Sequence, residues 1–312
     1  ETFAPVDNDN STTRFGVEFE YPLGNWVVGG KAEAEYQVRP SNKVSQTDRY
    51  YDDGWKFDEE DIRKVEIYFA TPYGKLSLGQ GSMATDGIAE IDLSGTGVIA
   101  YSSVSDTAGG QFFRTDAGDL TDITVGDVFD NLDGSRRFRV RYDTPTYAGF
   151  TLSAAYGQEV IADGDDDDYY DFALRYANVF GDFETEAGVG YGFAGDDVET
   201  LSGSASVLHS PTGLNLTIAA GEEDEDGGDS LSYGYIKAGL QRDFFAFGAT
   251  AFSVDYYGGD SDLGESWGLA AVQNFDAQNL EVYGTVRNYS YDGADEDLDD
   301  GLAVFSGVRW KF

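Results

Sequence analysis

The sequence predicts an all-β protein, a transmembrane antiparallel β-barrel of sixteen strands. Three observations lead to this fold class: an alternation of apolar and polar residues along nearly the whole chain, connections that alternate between short and long, and a glycine- and aromatic-rich composition. The 312 residues include 40 Gly, 21 Tyr and 21 Phe, but only 6 Pro and no Cys. The absence of cysteine excludes a disulfide scaffold, Cys-based zinc sites and thiol catalysis.

Fifteen segments show the alternation with period two that is typical of strands. In the first of them, Phe15, Val17 and Phe19 alternate with glycine and glutamate. No run approaches the roughly 20 apolar residues of a membrane-spanning helix, but transmembrane strands alternate lipid-facing and water-facing residues and therefore average out as polar. The alternation alone would also fit a soluble β-sandwich. Comparable apolar sets include Val65/Ile67/Phe69, Phe138/Val140/Tyr142, Phe172/Leu174/Tyr176 and Leu214/Leu216/Ile218.

The connections distinguish a barrel from a sandwich. Residues with turn chemistry predict tight turns at 22–25, 71–74, 144–149, 179–182, 210–213, 242–243 and 275–279. Long connections lie between them, at 39–61, 83–135, 158–168, 221–230, 257–264 and 291–300, and only 195–197 is short. Short turns at one end and long polar loops at the other are typical of an outer-membrane barrel, and aromatic residues gather at the tight-turn end like an interfacial girdle.

Strand parity predicts one more strand than the fifteen that the pattern shows. A closed antiparallel barrel needs an even number of strands, and the first visible strand, residues 12–21, ends at a tight turn. An upward strand must therefore come earlier: either Glu1 to Pro5 forms its upper end, or it precedes Glu1 in the natural chain. We expect one barrel domain over residues 1–312, with an inserted loop at about 83–135.

Four stretches resemble the Gram-negative general porins, a family of sixteen-stranded trimeric barrels. The last stretch, 307–312, is similar to the assembly signal of outer-membrane barrels, with Trp310 and Phe312 at alternate positions. The Pro-Glu-Phe-Gly-Gly motif that many relatives carry in their constriction loop has no match here. The other three stretches are 13–17 with the turn at 22–25, the hairpin 65–80, and the hairpin 138–150.

The resemblance implies a water-filled channel in the bacterial outer membrane for passive diffusion of small hydrophilic solutes and ions. It also implies a homotrimer among lipid and lipopolysaccharide, with no catalytic residue and no cofactor. The alternative is a substrate-selective channel for a sugar or other nutrient, with an aromatic slide supplied by Tyr233 and Tyr235 or by Tyr283 and Tyr289. His209 is the one histidine, and its place beside a tight turn favours a rim residue over a catalytic one.

The chain is strongly acidic, with 20 Lys+Arg against 58 Asp+Glu and a formal net charge of -38. Such charge repels phosphate backbones and excludes nucleic-acid binding. It fits either a solvated surface in a salty habitat or divalent-cation binding by carboxylate clusters. Calcium bound weakly by the run Asp165, Asp166, Asp167 and Asp168 is one such hypothesis, although no run has EF-hand spacing.

The resemblance implies that residues 83–135 fold into the barrel and narrow it. This loop holds ten acidic residues and one arginine. Alternation with apolar residues points Arg137, Arg139 and Arg141 into the lumen, and with Arg14 and Lys64 they form the predicted basic ladder. Alternatively, the arginines only balance lumen carboxylates. Acidic excess at the mouth predicts modest cation selectivity. The predicted acidic side of the constriction is Asp86, Glu90, Asp92, Asp106, Asp116 and Asp119.

Overall fold

A computed structural model describes residues 3–50, 57–162, 164–165, 167–195, 197–228, 230–260, 263–293 and 298–312. Fifteen strands of these residues form one antiparallel sheet, which matches the number predicted from the alternation. The bounds are β1 (Arg14–Leu23), β2 (Trp26–Glu35), β3 (Ile62–Thr71), β4 (Gly74–Ser82), β5 (Phe112–Thr115), β6 (Leu120–Thr124), β7 (Arg136–Asp143), β8 (Phe150–Gln158), β9 (Asp168–Phe180), β10 (Phe183–Ala194), β11 (Val198–His209), β12 (Leu214–Glu225), β13 (Leu231–Phe245), β14 (Gly248–Gly259), β15 (Glu265–Phe275), β16 (Leu280–Ser290), β17 (Leu298–Asp299) and β18 (Gly301–Trp310).

Each strand of the large sheet pairs with the next one along the chain, from β1 to β18. Strands β5, β6 and β17 are set apart in a small sheet of their own, built from two of the long connections. Short 3-10 helices cover Asp9–Ser11, Glu59–Asp61, Val104–Thr107, Val125–Asp127 and Asp276–Gln278. No helix among the described residues has the length and apolar character needed to cross a membrane.

The large sheet exposes its apolar face and buries much of its polar face, which is the opposite of a sheet in a water-soluble protein. Its apolar side chains are exposed, as in the 58% exposed Phe15 and the 61% exposed Leu269. Many of its polar side chains are buried, as in Asp255 and Arg287 at 1% exposure each. A soluble sandwich buries the opposite set, so the apolar face of this sheet is suited to lipid and the polar face to the interior of a barrel.

The tight turns lie where the sequence predicts them, with one correction at 242–243. Strand β13 continues past Arg242 with a register shift and reaches Phe245 before the chain turns into β14. The physical reason is aromatic packing, because the rings of Phe245 and Phe247 stack with centroids 5.1 Å apart. The ring of Phe275 lies 4.9 Å from Phe247 and extends this stack. An Arg-Asp pair that looks like a turn is therefore part of a strand.

Residues 3–13, the described part of the chain before β1, do not extend the sheet. The carboxylate of Asp7 accepts the N–H of Val38 at 2.6 Å, and Asp7 forms an isolated bridge with Pro40. The segment is thus held by the connection between β2 and β3. Residues 3–5 are not part of any strand, so they do not form the end of a sixteenth strand. Glu1 and Thr2 lie outside the described residues, and a strand ahead of Glu1 stays a prediction.

Candidate pore constriction

The loop 83–135 leaves β4 and packs against the inner faces of the later strands. Asp171 of β9 accepts the backbone N–H of Ala84 at 3.1 Å and of Thr85 at 2.8 Å. One strand pair further on, the Ser204 hydroxyl donates to the carbonyl of Ile88 at 2.6 Å. Because buried backbone groups need hydrogen-bond partners, these short polar side chains of the strands fix the position of the loop relative to the sheet.

The middle and end of the loop are held in the same way. The Lys237 ammonium on β13 lies 2.7 Å from the Asp92 carboxylate, and the Thr96 and Ser253 hydroxyls are 2.9 Å apart. The Tyr289 hydroxyl on β16 donates to the carbonyl of Val104 at 2.8 Å. The loop thus lies along β9 to β16, while the inner face of β1 stays exposed.

The predicted basic ladder points inward, but each of its three arginines on β7 has a carboxylate partner. Arg139 pairs with Glu66, and Arg141 lies 2.8 Å from a carboxylate oxygen of Asp143. Arg137 lies 3.4 Å from a Glu159 oxygen. The arrangement agrees with the alternative that these arginines balance lumen carboxylates.

Arg139 and Arg141 also bind the backbone at the start of the loop 83–135. The Nε of Arg139 donates to the carbonyl of Ser82 at 3.1 Å, and the Nη1 of Arg141 donates to the carbonyl of Met83 at 2.6 Å. A charged donor on a backbone carbonyl makes a stronger hydrogen bond than a neutral one. These arginines therefore set where the loop starts, which the sequence interpretation did not foresee.

Arg14 and Lys64 complete the ladder on β1 and β3, and neither makes an ion pair with any residue that the structure describes. Between them lies Arg63, which the sequence interpretation missed and which contacts Glu33 at 3.2 Å and Glu35 at 2.5 Å. A β-bulge beside Glu33 turns Arg63 inward next to Lys64. Period-two reasoning assigns neighbouring residues to opposite faces, so it could not find Arg63.

The members of the predicted acidic side lie in different surroundings, and its role opposite the ladder stays a prediction. Asp86 does lie beside a basic strand residue, 3.8 Å from the Nε of Arg136. Asp92 instead pairs with Lys237 on the wall behind the loop. Glu90 accepts a hydrogen bond from the side-chain amide of Asn131 at 3.2 Å and lines the same cavity as Arg309. Asp106 accepts the Ser103 hydroxyl at 2.8 Å within the loop, while Asp116 and Asp119 lie at the β5–β6 hairpin turn without an ion pair to the described residues.

The carboxyl groups inside the loop have raised pKa values. Burial, and after it the charge of Asp133, raises the pKa of Glu90 to about 8. Burial, and after it the charge of Asp9, raises the pKa of Asp106 to about 7. Burial also raises the pKa of Asp133 to about 6, although backbone N–H groups of Gly87 and Ala89 donate to it. The loop therefore carries less negative charge near neutral pH than its composition suggests.

The tyrosines proposed as an aromatic slide do not line open lumen. Tyr233, Tyr235 and Tyr289 are at most 5% exposed and belong to an apolar cluster beneath the loop. The ring centroid of Phe129 in the loop lies 5.4 Å from that of Tyr289. Tyr283 is buried in a second cluster under the loop. These rings support the loop, so the observation on which the substrate-selective alternative depended is absent from the described residues.

Two further predicted positions involve the rims of the sheet. His209 lies at the end of β11 beside a tight turn, with its Nδ1 2.7 Å from the hydroxyl of Thr212. Trp310 and Phe312 lie exposed at the end of β18, with ring centroids 5.3 Å apart. The indole N–H of Trp310 donates to the carbonyl of Gln278 at 3.1 Å, which places these rings at the tight-turn end.

The proposed calcium run is partly outside the described residues, because Asp166 is not among them. The Asp165 carboxylate accepts the Tyr169 hydroxyl at 2.6 Å, and the Asp168 carboxylate accepts the Tyr156 hydroxyl at 2.8 Å. Within the described parts of the chain, no group of three or more possible ligands is arranged to hold a metal ion. Weak calcium binding by residues 165–168 stays a prediction.

Comparisons with known proteins agree with this architecture. The model of the family described as Gram-negative porin matches residues 4–294. A search of curated proteins found no matching relative. The anion-selective porin from Comamonas acidovorans is 16% identical with a TM-score of 0.61, over 97% of this chain and 90% of that one. Pseudomonas putida OprB is 12% identical with a TM-score of 0.63, over 96% and 87% of the two chains.

A third similar structure is the trimer form of OmpT from Vibrio cholerae. It is 15% identical with a TM-score of 0.53, over 95% of this chain and 88% of that chain. The structural neighbours share the fold, and the family model covers most of the sequence. The chain therefore belongs to the Gram-negative porin family and is a channel-forming β-barrel of the bacterial outer membrane.

Proposed function

We propose that the chain is a general channel through which small hydrophilic solutes and ions diffuse passively. The observation that carries this proposal is the packed loop 83–135 inside a polar-faced sheet. A cavity of about 410 Å³ adjoins the loop, and amide and charged side chains such as Asn10, Gln241 and Arg309 line much of it. These polar groups readily exchange their hydrogen-bond partners with water, and they offer no apolar surface that would select one nutrient.

Liposome swelling with sugars of increasing size tests this proposal. A smooth decline of the swelling rate with solute size supports passive diffusion. A preference between stereoisomers of equal size would contradict it, because unselective diffusion depends on size and charge and not on hydroxyl orientation.

The proposed channel is modestly cation-selective, and the selectivity arises at the outer mouth. The arginines of β7 are paired with carboxylates, so the ladder contributes less positive field than its sequence suggests. Contrary to the sequence prediction, residues 221–225 are the end of β12, so the connection that follows begins at residue 226. Residues 221–230 and the connection 291–300 are nevertheless rich in Asp and Glu, within a chain of net charge -38. A negative mouth concentrates cations over about one Debye length, roughly 30 Å at 0.01 M salt but 3 Å at 1 M.

Reversal potentials in planar bilayers test the sign and origin of the selectivity. The expected result is a cation preference that is clear at low salt and weakens towards 1 M, where screening removes the influence of the mouth. Anion preference at low salt would overturn the proposal.

We further propose a homotrimer in contact with lipopolysaccharide. Its support is the trimer form of the similar OmpT structure together with the exposed apolar outer face of β1, where Val17 is 72% exposed. Single-channel recordings in which the conductance falls in three equal steps would support the trimer. Co-purification of lipopolysaccharide would support the lipid partner. Closure in a single step would contradict the trimer.

A further inference from the structure

Lys237 lies on the inner face of β13, directly beneath the middle of the loop 83–135. Its side chain is fully buried, while that of Asp92 is 7% exposed. The Nζ of Lys237 lies 2.7 Å from a carboxylate oxygen of Asp92 and donates to the carbonyl of Ala100 at 2.7 Å. Both partners belong to the loop, so this cation binds the loop at two points eight residues apart in sequence.

Asp92 in turn organises the loop segment around it. Its carboxylate accepts the backbone N–H of Ser94 at 2.9 Å and the Ser94 hydroxyl at 2.8 Å. A hydroxyl of the neighbouring strand, that of Thr217 on β12, donates to the same carboxylate at 3.1 Å. Asp92 therefore closes a tight turn in the loop and joins that turn to two wall strands.

The segment that follows packs several buried side chains against the wall. Thr96 and Ile99 have 0% exposure, and Ile99 belongs to an apolar cluster with Ala251 and Val272 of the wall. Gly95 of the loop and Ala251 of the wall approach each other closely, because a Cβ on Gly95 would lie only 3.1 Å from the Ala251 Cβ. The small side chain at each position therefore leaves space for the other. Residues 92–100 fit the wall closely, and small displacements would lose these contacts.

We infer that Lys237 is the positioning residue of the constriction: it holds residues 92–100 against the wall and thereby sets the width of the pore. Removing the cation would leave the Asp92 carboxylate and the Ala100 carbonyl buried without their partner. Such loss is strongly unfavourable, whereas detachment of the loop would return both groups to lumen water. The inference rests on the proposed role of residues 83–135 as the constriction.

Lys237→Met in the full-length, detergent-folded protein tests the inference by hydrogen exchange. The amides of Ile99 and Ala100 are the probes, because both donate to the carbonyl of Thr96. Their exchange is expected to rise about 100-fold, the factor that a lost buried ion pair gives to a local opening, while the amides of β13 and β14 keep their protection. Lys237→Met combined with Asp92→Asn removes both charges, and is expected to recover most of the protection.

A matched control is the second buried ion pair of the wall, between Asp255 of β14 and Arg287 of β16, which are 2.6 Å apart and touch no loop carboxylate. Asp255→Asn combined with Arg287→Met is expected to leave the exchange of Ile99 and Ala100 unchanged. If Lys237→Met raises exchange equally in the wall strands, its role is only structural and the inference fails.

Single-channel recording supplies the functional measurement. In Lys237→Met the open-channel current is expected to become noisier and the channel to close at lower voltage, because residues 92–100 move in and out of the pore. Faster exchange of the loop with unaltered current would overturn the inference, since the segment would then not narrow the pore. Sugar swelling of the wild-type protein tests passive diffusion separately, so the two failures are distinguishable.

Discussion

The guanidinium of Arg139 on β7 hydrogen-bonds the carboxylate of Glu66 on β3 across the intervening strand β4. Gly81 makes this contact feasible, because a Cβ there would lie 2.9 Å from the Arg139 Nη2 and 3.0 Å from the Glu66 Oε2. The side chains are 3% and 14% exposed. A single ion pair thus links two strands across a third and, through the carbonyl of Ser82, is joined to the start of the loop 83–135.

Arg139→Ala is expected to lower the free energy of unfolding by about 3 kcal/mol, because it leaves the Glu66 carboxylate without its partner in a largely buried place. Urea unfolding followed by tryptophan fluorescence measures the change. Lys311→Ala is the control, since Lys311 is 58% exposed in its pair with Glu281 and its loss is expected to cost under about 1 kcal/mol. Equal costs in the two variants would contradict the importance of the Arg139 pair.

Lys64→Met is expected to shift the reversal potential towards cations, because Lys64 makes no ion pair with the described residues and its charge acts on the lumen. The control variant Arg137→Met with Glu159→Gln removes a paired cation together with its carboxylate, 3.4 Å away, and leaves the local net charge unchanged. That control is expected to show no shift. A shift of Lys64→Met towards anions would refute the role assigned to unpaired charge.

The pKa of Glu90 predicts how the packed loop responds to pH. Its folded-state pKa of about 8 exceeds the ordinary value of 4.5, so the folded protein binds more protons than the unfolded chain between these values. The contribution of the Glu90 carboxyl to the free energy of unfolding is therefore fully present below pH 4.5 and is lost as the pH rises towards 8. The midpoint of thermal unfolding is expected to fall from pH 5 to pH 8.

Glu90→Gln is expected to flatten this decline, since the amide cannot ionise. Glu60→Gln, at an exposed position, serves as the control and is expected to keep the wild-type slope. If Glu90→Gln retains the full pH dependence, another group carries it.

The sheet was predictable from sequence because its determinants are local. Alternation along a strand such as β1 follows from one face meeting lipid and the other meeting water, and turn residues mark where each hairpin closes. The predicted turn at 242–243 was wrong because the end of β13 is stabilised by ring stacking. Phe245, the last residue of β13, stacks on Phe247 in the turn, and Phe247 stacks on Phe275 of another hairpin. That contact joins residues far apart in sequence.

The constriction was only partly predictable because it depends on which groups meet across the lumen. Alternation correctly pointed Arg139 inward, but nothing in the local sequence indicated that Glu66 would neutralise it. Lys237 alternates with apolar neighbours in the same way as the ladder, yet its partner Asp92 lies in a loop with no periodicity. The tyrosines at 233 and 235 also pointed inward, but the loop that covers them could not be placed from sequence.

Gly188 on β10 provides space for the loop, and its replacement is expected to narrow the channel. A Cβ at Gly188 would lie 2.5 Å from the Cδ1 of Ile88 and 2.9 Å from that of Ile91, so Gly188→Val would push the loop away from the wall. Overpacking of this kind costs about 1–3 kcal/mol, which displacement of a loop into water-filled space relieves in part. Single-channel conductance is expected to fall.

Ile88→Ala combined with Gly188→Val is expected to restore the conductance, because the alanine vacates the volume that the valine occupies. Gly234→Val on β13 is the matched control, since a Cβ there meets no atom within 4 Å. Its conductance is expected to equal that of the wild type. Should Gly188→Val leave the conductance unchanged while it lowers stability, the loop would be held by contacts elsewhere, above all by Lys237, and the space at β10 would serve packing alone.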